Sequence, residues 1–444
     1  MAHMNRHELM PFLRRQFQDL RRGGWPLLLR KGVSVVECVV AMPLVAAARL
    51  LRPLMLIRFG GLPSNRFGHF TGNIEIYLCE REAGRHGHRV LDLFYYVQPV
   101  CNNQLKRMWN RALSVSRFAR WAARLNGWFP GGTPHRVPWP IHADHDVHGM
   151  LAGTRPHLYF TAHEEERGAM ALRALGLREE KPFVGIYARD PAYRNTDVSP
   201  GDPRKCLHDC RDAEIEACLP AAEVLVRRGY DVVRMGALVE RALSAFHPHI
   251  IDYATMARSD FMDVFLCARC HFFLSGDSGI TRGPIIFRRP VAHINLVILG
   301  AVSTHNPEDL LIFKKLWLRE EHRLLTMREI FAGGLAGRVG NFQIEAYDRL
   351  GIDVLDNTPE EITALAIEME GRLSGIWRST EEDEELQRRC WTHYRECLDL
   401  WPDCAAHLKH RVLRSRLGTE FLRQQHSWLL EQTLPSAPLI VSLQ

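Results

Sequence analysis

The stretch that most constrains the fold runs from Phe272 to Asn295 and reads FFLSGDSGITRGPIIFRRPVAHIN. Its opening apolar run suits a strand buried on both faces of a parallel sheet. Ser275-Gly276-Asp277-Ser278-Gly279 follows, then a segment able to form a short helix, and Pro290 to Ile294 can begin another strand. A strand, a small-residue turn and a helix start leave backbone N–H groups pointing at one spot, which suits an anion such as phosphate. Glycines let the main chain approach a ligand, and the Ser278 hydroxyl can add a hydrogen bond. The same pattern also serves as an ordinary tight βα turn.

The rest of the chain repeats this alternation. Pro182 to Tyr187, Asp231 to Gly236 and Ile250 to Tyr253 read as strands. A helix opens within Leu207 to Asp212 and ends at Gly229-Tyr230; another opens at Ser259 as N-cap and runs to Cys270. Upstream, Pro53 to Arg58 and Val90 to Val97 read as strands. The glycine-rich FGGLPSNRFGH reads as a loop, Asn73 to Arg81 as a helix, and Asn102 to Trp128 as one amphipathic helix. This spells parallel, doubly wound sheets. At 444 residues, two such domains with extensions are expected. The boundaries read as an arm over 1–52, a first α/β domain over 53–175, a second α/β domain over 176–375 and a helical extension over 376–444. Asp356-Asn357-Thr358-Pro359-Glu360-Glu361 has the form of a capped helix start, and the acidic run 381–385 reads as a solvated helix face.

Charge is placed unevenly. Residues 1–52 hold nine Arg or Lys against three acids, and the remainder is balanced at 48 of each. That balance argues against a nucleic-acid cleft in the body. The arm, with its apolar run over residues 33–51 broken by Glu37 and Pro43, reads as an in-plane anchor on an anionic cytoplasmic leaflet or as a helix packed on the protein itself. Eleven cysteines in so long a chain read as reduced thiols of a cytoplasmic protein. Cys267 and Cys270 have metal-ligand spacing, but a matching second pair is missing, since Cys206 and Cys210 are the only other close pair. No metal and no cofactor is expected.

Strand ends supply the candidate site. Arg189, Arg234, Gly276, Asp277, Ser278 and Gly279 would share one rim of a parallel sheet, and two arginines beside an anion-binding turn suit a diphosphate. Each arginine could equally form a surface ion pair. Arg211 and His208 would line the same cleft. His69, among glycines, is a candidate general base or a histidine bonded to its own loop. Asp190 is the second candidate base. Arg58, Gly61 and Asn73 near the first strand, and Gly236, Asp252 and Tyr253 at later strand ends, complete the substrate-binding set.

The pieces FGHF, ARDPAY, LHDCRDAEI, RMG, IIDYA, FLCARCHFFLSGDSG and NTPEEI, spread over roughly residues 54–370, together resemble a bacterial glycosyltransferase family of GT-B architecture. The resemblance implies two Rossmann-like domains facing across a cleft. It also implies that the first domain takes the acceptor and the second the donor, with metal-independent glycosyl transfer from a nucleotide-sugar co-substrate to a glycan, lipid-linked or protein hydroxyl. The GDSG turn is similar to the DSG or DTG turn of heptosyltransferases, which contacts the donor diphosphate. Two departures stand out: Cys206 and Cys210 replace tyrosines of the pattern, and Thr281-Arg282-Gly283 stands where heptosyltransferases place a histidine. Two other classes fit the sheet, a non-catalytic nucleotide-sugar-binding protein and a phosphoryl- or sulfuryl-transfer enzyme. The second is weakened by the lack of a GxxxxGK[ST] loop.

Overall fold

The structure is a computed structural model; it describes residues 36–431 except 38, 140–145, 179, 193–209, 245–246, 257, 303–305, 338–346, 403 and 405. The basic residues 1–35, His208 and Cys206 lie outside the described residues. The chain divides into two compact units, Met1–Arg66 with Glu80–Ile141, and Phe67–Cys79 with His142–Gln444.

The first unit begins with helix α1, whose described part runs over residues 36–50 except 38. Strand β1 (Leu56–Leu62) follows; helix α2 (Ile74–Glu82), whose residues 74–79 belong to the second unit, then leads to β2 (Val90–Tyr96), α3 (Asn103–Ala112) and α4 (Arg117–Asn126). β1 and β2 are parallel and in register from Leu56 opposite Val90 to Leu62 opposite Tyr96. Single parallel bridges, Phe59 with Arg136 and Phe94 with Val115, continue this sheet on both edges. Two expectations change here. Gly60 and Gly61 belong to the strand, because the space beside them is filled: a Cβ on Gly60 would lie 2.6 Å from Val137 and one on Gly61 3.1 Å from the Tyr95 ring. And residues 102–128 form two helices, because Ser114 and Ser116 leave the helical path to exchange main-chain hydrogen bonds with Phe94.

The second unit holds a seven-stranded sheet. Its strands are β3 (Phe183–Tyr187), β4 (Asp231–Arg234), β5 (Ile250–Ile251), β6 (Phe273–Ser275), β7 (Val291–Leu296), β8 (Leu310–Phe313) and β12 (Arg416–Leu417). Their order is β12-β8-β7-β6-β3-β4-β5, and every pair is parallel. Read from β5 inward, that is the doubly wound Rossmann-like order. A smaller antiparallel sheet, β10-β9-β11, sits beside it in sequence, built from β9 (Lys315–Leu318), β10 (Arg323–Leu324) and β11 (Ile352–Leu355).

Alternation explains why the large sheet is covered on both sides. Val184, Val232, Ile250, Leu274 and Ala292 enter one core with Ala221 and Leu225 of α6 (Leu219–Arg227) and Ile362, Ala366 and Met369 of α10 (Pro359–Leu373). Their neighbours Phe183, Val233, Ile251, Phe273 and Val291 enter a second core with Phe261, Phe265 and Leu266 of α7 (Asp260–Arg269). α5 (Ala162–Ala174) packs onto that second side through Gly168, where a Cβ would meet the Phe265 ring at 2.1 Å. Side chains two apart share a face, so a continuous apolar strand needs helices above and below.

Caps set the helix starts. Ser259 accepts from Met262 N, and Thr358 forms a reciprocal capping box with Glu361, with Pro359 at the first helical position. Gly229, at φ 97°, terminates the α6 region. The acidic run opens α11 (Glu381–Leu400) and is internally paired: Asp383 binds Arg423 at 2.8 Å and Glu384 binds Arg416 at 2.7 Å. The expected solvated face is therefore tied to later residues of the same C-terminal region. Among the described residues, no helix is long and apolar enough to cross a membrane.

Candidate functional site

Strand order in the large sheet reverses between β3 and β6. A crevice opens outside the carboxyl ends of strands at such a switch point, and ligands of open α/β sheets bind there. β3 ends at Tyr187 and releases Ala188-Arg189-Asp190; β6 ends at Ser275 and releases Gly276 to Gly279. β4 is parallel to β3, so Arg234 emerges on the same edge.

The turn after β6 is held from below and from the side. Thr281 Oγ1 donates to Gly276 O at 2.9 Å and lies 2.9 Å from Ser275 Oγ. Arg211 Nε and Nη2 donate to Asp277 O at 3.2 and 2.6 Å, and Nη2 lies 3.0 Å from Asp277 Oδ2. The Tyr187 hydroxyl bonds Ser278, and burial pushes that phenol above its ordinary range. Gly276 is buried, Asp277 and Ser278 are half-buried and Gly279 is exposed, so the turn is reachable. A hollow of about 20 Å³ lined by Asp277, Ser278, Thr281, Arg282 and His293 adjoins it, enough for one water. The helix that follows, α8 (Arg282–Ile286), has five residues. One turn of helix sums few peptide dipoles, so the expected helix-terminus attraction for phosphate gives way to the turn's own amides and nearby cations.

A larger cavity, about 210 Å³, is lined by Arg189, Asp190, Asp212, Glu216, Arg234, Arg241 and Asp356 among others. Arg189 and Arg234 thus share one cavity, although they are 45 positions apart. Arg189 pairs with Asp212 at 3.2 Å. Asp190 Oδ1 accepts from Ala192 N at 2.9 Å and its Oδ2 from Glu240 N at 3.3 Å, so both oxygens shape the loop. Arg234 is buried and fixed: its Nη1 donates to Arg241 O at 2.8 Å and to both Asp252 oxygens at 3.2 Å. Sequence reasoning missed Lys314, which follows β8 and is buried. Its Nζ lies 2.6 Å from Asp356 and donates to Asp212 O at 2.7 Å. The signal was present, a strand LLIF running directly into two lysines.

His69 opens a five-residue π-helical segment, His69–Asn73, and its Nδ1 lies 3.3 Å from Asn73 Oδ1. The preceding Gly68 meets the turn after β6: a Cβ built on it would stand 2.7 Å from Gly279 Cα. The FGHF segment and the SGDSG turn, 211 positions apart at these two glycines, are therefore in backbone contact within the second unit.

Other expected site residues have different work. Arg58 belongs to the first unit and is buried, with Nε and Nη2 on the two oxygens of Asp92 at 2.7 and 3.0 Å. A buried bidentate pair of this kind is a structural tie. Gly61 lies in β1 for packing reasons. Tyr253 is fully buried; its hydroxyl bonds Asp263 at 2.9 Å and accepts from Ser259 N, fixing the start of α7. Asp252 positions Arg234 and the Leu243 amide. Gly236 is required by Val239, 2.6 Å from where its Cβ would be. Cys210, Cys267 and Cys270 are buried thiols with their pKa pushed up by burial, that of Cys270 to about 12, and Cys270 Sγ bonds Cys267 O.

A second polar centre was not anticipated. Glu75, Cys79 and His157 bring ligand-type atoms within 4.8 Å of one another. Arg288 Nη2 already fills that space, bonding Glu75 Oε1 at 2.8 Å, Thr154 Oγ1 at 3.1 Å and Arg155 O at 3.1 Å. His157 Nδ1 lies 3.2 Å from Glu75 Oε1. Burial lowers the histidine's affinity for a proton, but hydrogen bonds to Cys79 and Glu75 and the Glu75 charge outweigh it, raising its pKa to about 10. The centre is an ionic knot joining α2 to the 154–157 loop and to Arg288.

No protein-family model and no curated protein matches the chain. Among solved structures, it is similar to a glycosyl transferase of family 9 from Veillonella parvula DSM 2008, at 12% identity and a TM-score of 0.39, covering 59% of this chain and 86% of that one. It is also similar to the ADP-heptose lps heptosyltransferase II of E. coli, at 14% identity and a TM-score of 0.32, covering 53% and 84%. A UDP-N-acetylglucosamine 2-epimerase-like structure from Listeria monocytogenes aligns at 11% identity and a TM-score of 0.26, covering 73% and 97%.

Proposed function

We propose that this chain is a glycosyltransferase that moves a sugar from a nucleotide-linked donor to a hydroxyl of a glycan, lipid-linked or protein acceptor. The observation that carries the reading is the switch point between β3 and β6, where Arg189 and the Ser278 turn leave adjacent parallel strands. The donor diphosphate rests on the amides of Gly276 to Gly279 and against Arg189, with Lys314 and Arg234 supplying further positive charge to the same rim. The 210 Å³ cavity matches a diphosphate with part of a sugar better than a whole nucleotide sugar. Its wall is rich in carboxylates, and Arg189 is paired with one of them, so the diphosphate binds by displacing Asp212 from the guanidinium.

His69 takes the acceptor's proton. With Nδ1–H donated to Asn73, its lone pair lies on Nε2, the nitrogen that accepts. The acceptor oxygen bonds the anomeric carbon as the bond to the diphosphate breaks, and the nucleoside diphosphate leaves with the electron pair. No step requires a metal. Peripheral residence on the cytoplasmic face fits a lipid-linked acceptor. The test is a screen of nucleotide sugars for nucleoside diphosphate release, beside thermal shifts with UDP, GDP, ADP and CMP. A rise in melting temperature with one nucleotide and turnover with its sugar supports the reading. Binding without turnover on any acceptor moves it to a nucleotide-sugar-binding protein, and no response to any nucleotide overturns it.

A further inference from the structure

Between Glu37 and Arg49 the described part of helix α1 is apolar on every side. From Val39 to Ala48 it carries no polar side chain. One face, Ala41, Val45 and Ala48, is buried against Ile57 and Phe59 of β1 and Ala119, Ala122 and Leu125 of α4. The other face is bare: Val36, Val39, Val40 and Met42 are each more than half exposed, and Leu50 and Leu54 reach 79% and 69%. An outward face in water is normally polar, so a helix apolar all round marks a surface meant for an apolar medium.

The surface continues onto α4. Arg49, at the end of α1, donates to Asn126, Phe129 O and Pro130 O and lies over the Phe129 ring at 5.6 Å. Trp128 and Phe129 are both more than half exposed. Arginines stack on the aromatics beside them, Arg120 and Arg124 on Trp121, Arg124 on Trp128 and Arg117 on Phe118. Between Asp92 and Asp144 the chain has no acidic residue but carries seven Arg or Lys. The balanced charge of the body as a whole therefore hides one strongly basic side in the first unit.

We infer that this face of the first unit docks on an anionic lipid bilayer, lying in the interface without crossing it. Bare aliphatics and Trp128-Phe129 enter the acyl boundary, while the guanidinium groups stay at the headgroups, the arrangement their long stems favour. Anionic lipid is the occupant because an apolar patch beside arginines that, among the described residues, have no carboxylate partner complements a negatively charged surface, lacks that attraction to a neutral one and is repelled by a cationic one. The inference is independent of the proposed glycosyl transfer and extends the expectation for the arm to residues of the folded body.

Full-length protein is floated with vesicles of phosphatidylcholine alone or of phosphatidylcholine with phosphatidylglycerol. The expected result is partitioning onto the anionic vesicles at least about tenfold above the neutral ones, weakened by salt. Trp128→Ala with Phe129→Ala, and separately Arg120→Glu with Arg124→Glu, each lower partitioning by about tenfold at an unchanged melting temperature. Four outcomes overturn the inference: no flotation, equal flotation on both vesicles, both double variants floating like the parent, or a concentration-dependent increase in mass abolished by Trp128→Ala with Phe129→Ala and unaccompanied by vesicle binding. The third assigns binding to the arm alone and the fourth assigns the face to a second copy.

Discussion

Gly68 and Gly279 touch through their backbones: a Cβ at position 68 would sit 2.7 Å from Gly279 Cα, whereas one at position 279 would sit 3.2 Å from Gly68 N. Main chain cannot swing aside as a side chain can, so Gly68→Ala must push the His69 segment off the turn. We expect kcat/KM to fall about a hundredfold, the usual cost of displacing a reacting group by part of an ångström. Gly279→Ala, with the wider spacing, should lose less than about tenfold. Rates of nucleoside diphosphate release for both variants, beside their melting curves, check the order; equal effects would contradict it.

Arg189→Ala removes the guanidinium that leaves β3 at the switch point. Affinity for the donor nucleotide should weaken about 10- to 100-fold, as for the loss of a charge-assisted pair, with a modest fall in melting temperature because Asp212 Oδ1 loses this partner at a buried position. Arg189→Lys should recover only part of it, since an ammonium lacks the planar fork. Titration calorimetry with the nucleotide found in the screen decides.

Thr281→Val removes the hydroxyl that donates to Gly276 O and meets Ser275 Oγ. Ser275 Oγ still reaches the buried Gly276 carbonyl at 3.0 Å but loses its own hydroxyl partner, so the change should cost about 1 kcal/mol. Thr281→Ser should restore both stability and nucleotide affinity. Chemical denaturation of the three proteins measures the first and thermal shift the second.

The ionic knot at His157 has a pH signature. The folded-state pKa is raised from 6.5 to about 10, so the native state holds this proton more tightly than the unfolded chain does. That stabilisation is fully present below pH 6.5 and is lost as pH rises through 10. After allowance for solvent screening it is about 1–2 kcal/mol. His157→Gln should lower the melting temperature at pH 7 and flatten its decline between pH 8 and about 10.5 relative to the parent. Parallel slopes for the two proteins would show that the knot's charge adds nothing.

How much was legible varies with the range of the interaction. The strands from Phe183, Asp231, Phe273 and Val291 could be read because unbroken apolar runs bounded by turn residues demand burial on two faces. The starts at Ser259 and Thr358 were visible because capping uses residues three apart in the chain. The partners of Tyr253 and Asp252 could not be read, for the opposite reason. A polar residue at a strand end looks the same whether it faces a ligand or a distant partner, and here the partners are Asp263 and Arg234. The break in residues 102–128 was hidden because its cause, Phe94, sits on another strand.

The sequence by itself determined the alternation of strand and helix, the parallel class of the sheet and the small-residue turn at residues 275–279, because periodicity, caps and glycine act over a few residues. Only the tertiary structure decided that β3 and β6 lie side by side, that Arg189 pairs with Asp212, that Lys314 reaches Asp356 and that Gly68 abuts Gly279. Those facts depend on strand order and on which backbones approach one another, and pairing between segments tens or hundreds of residues apart leaves no local trace in the residues that meet.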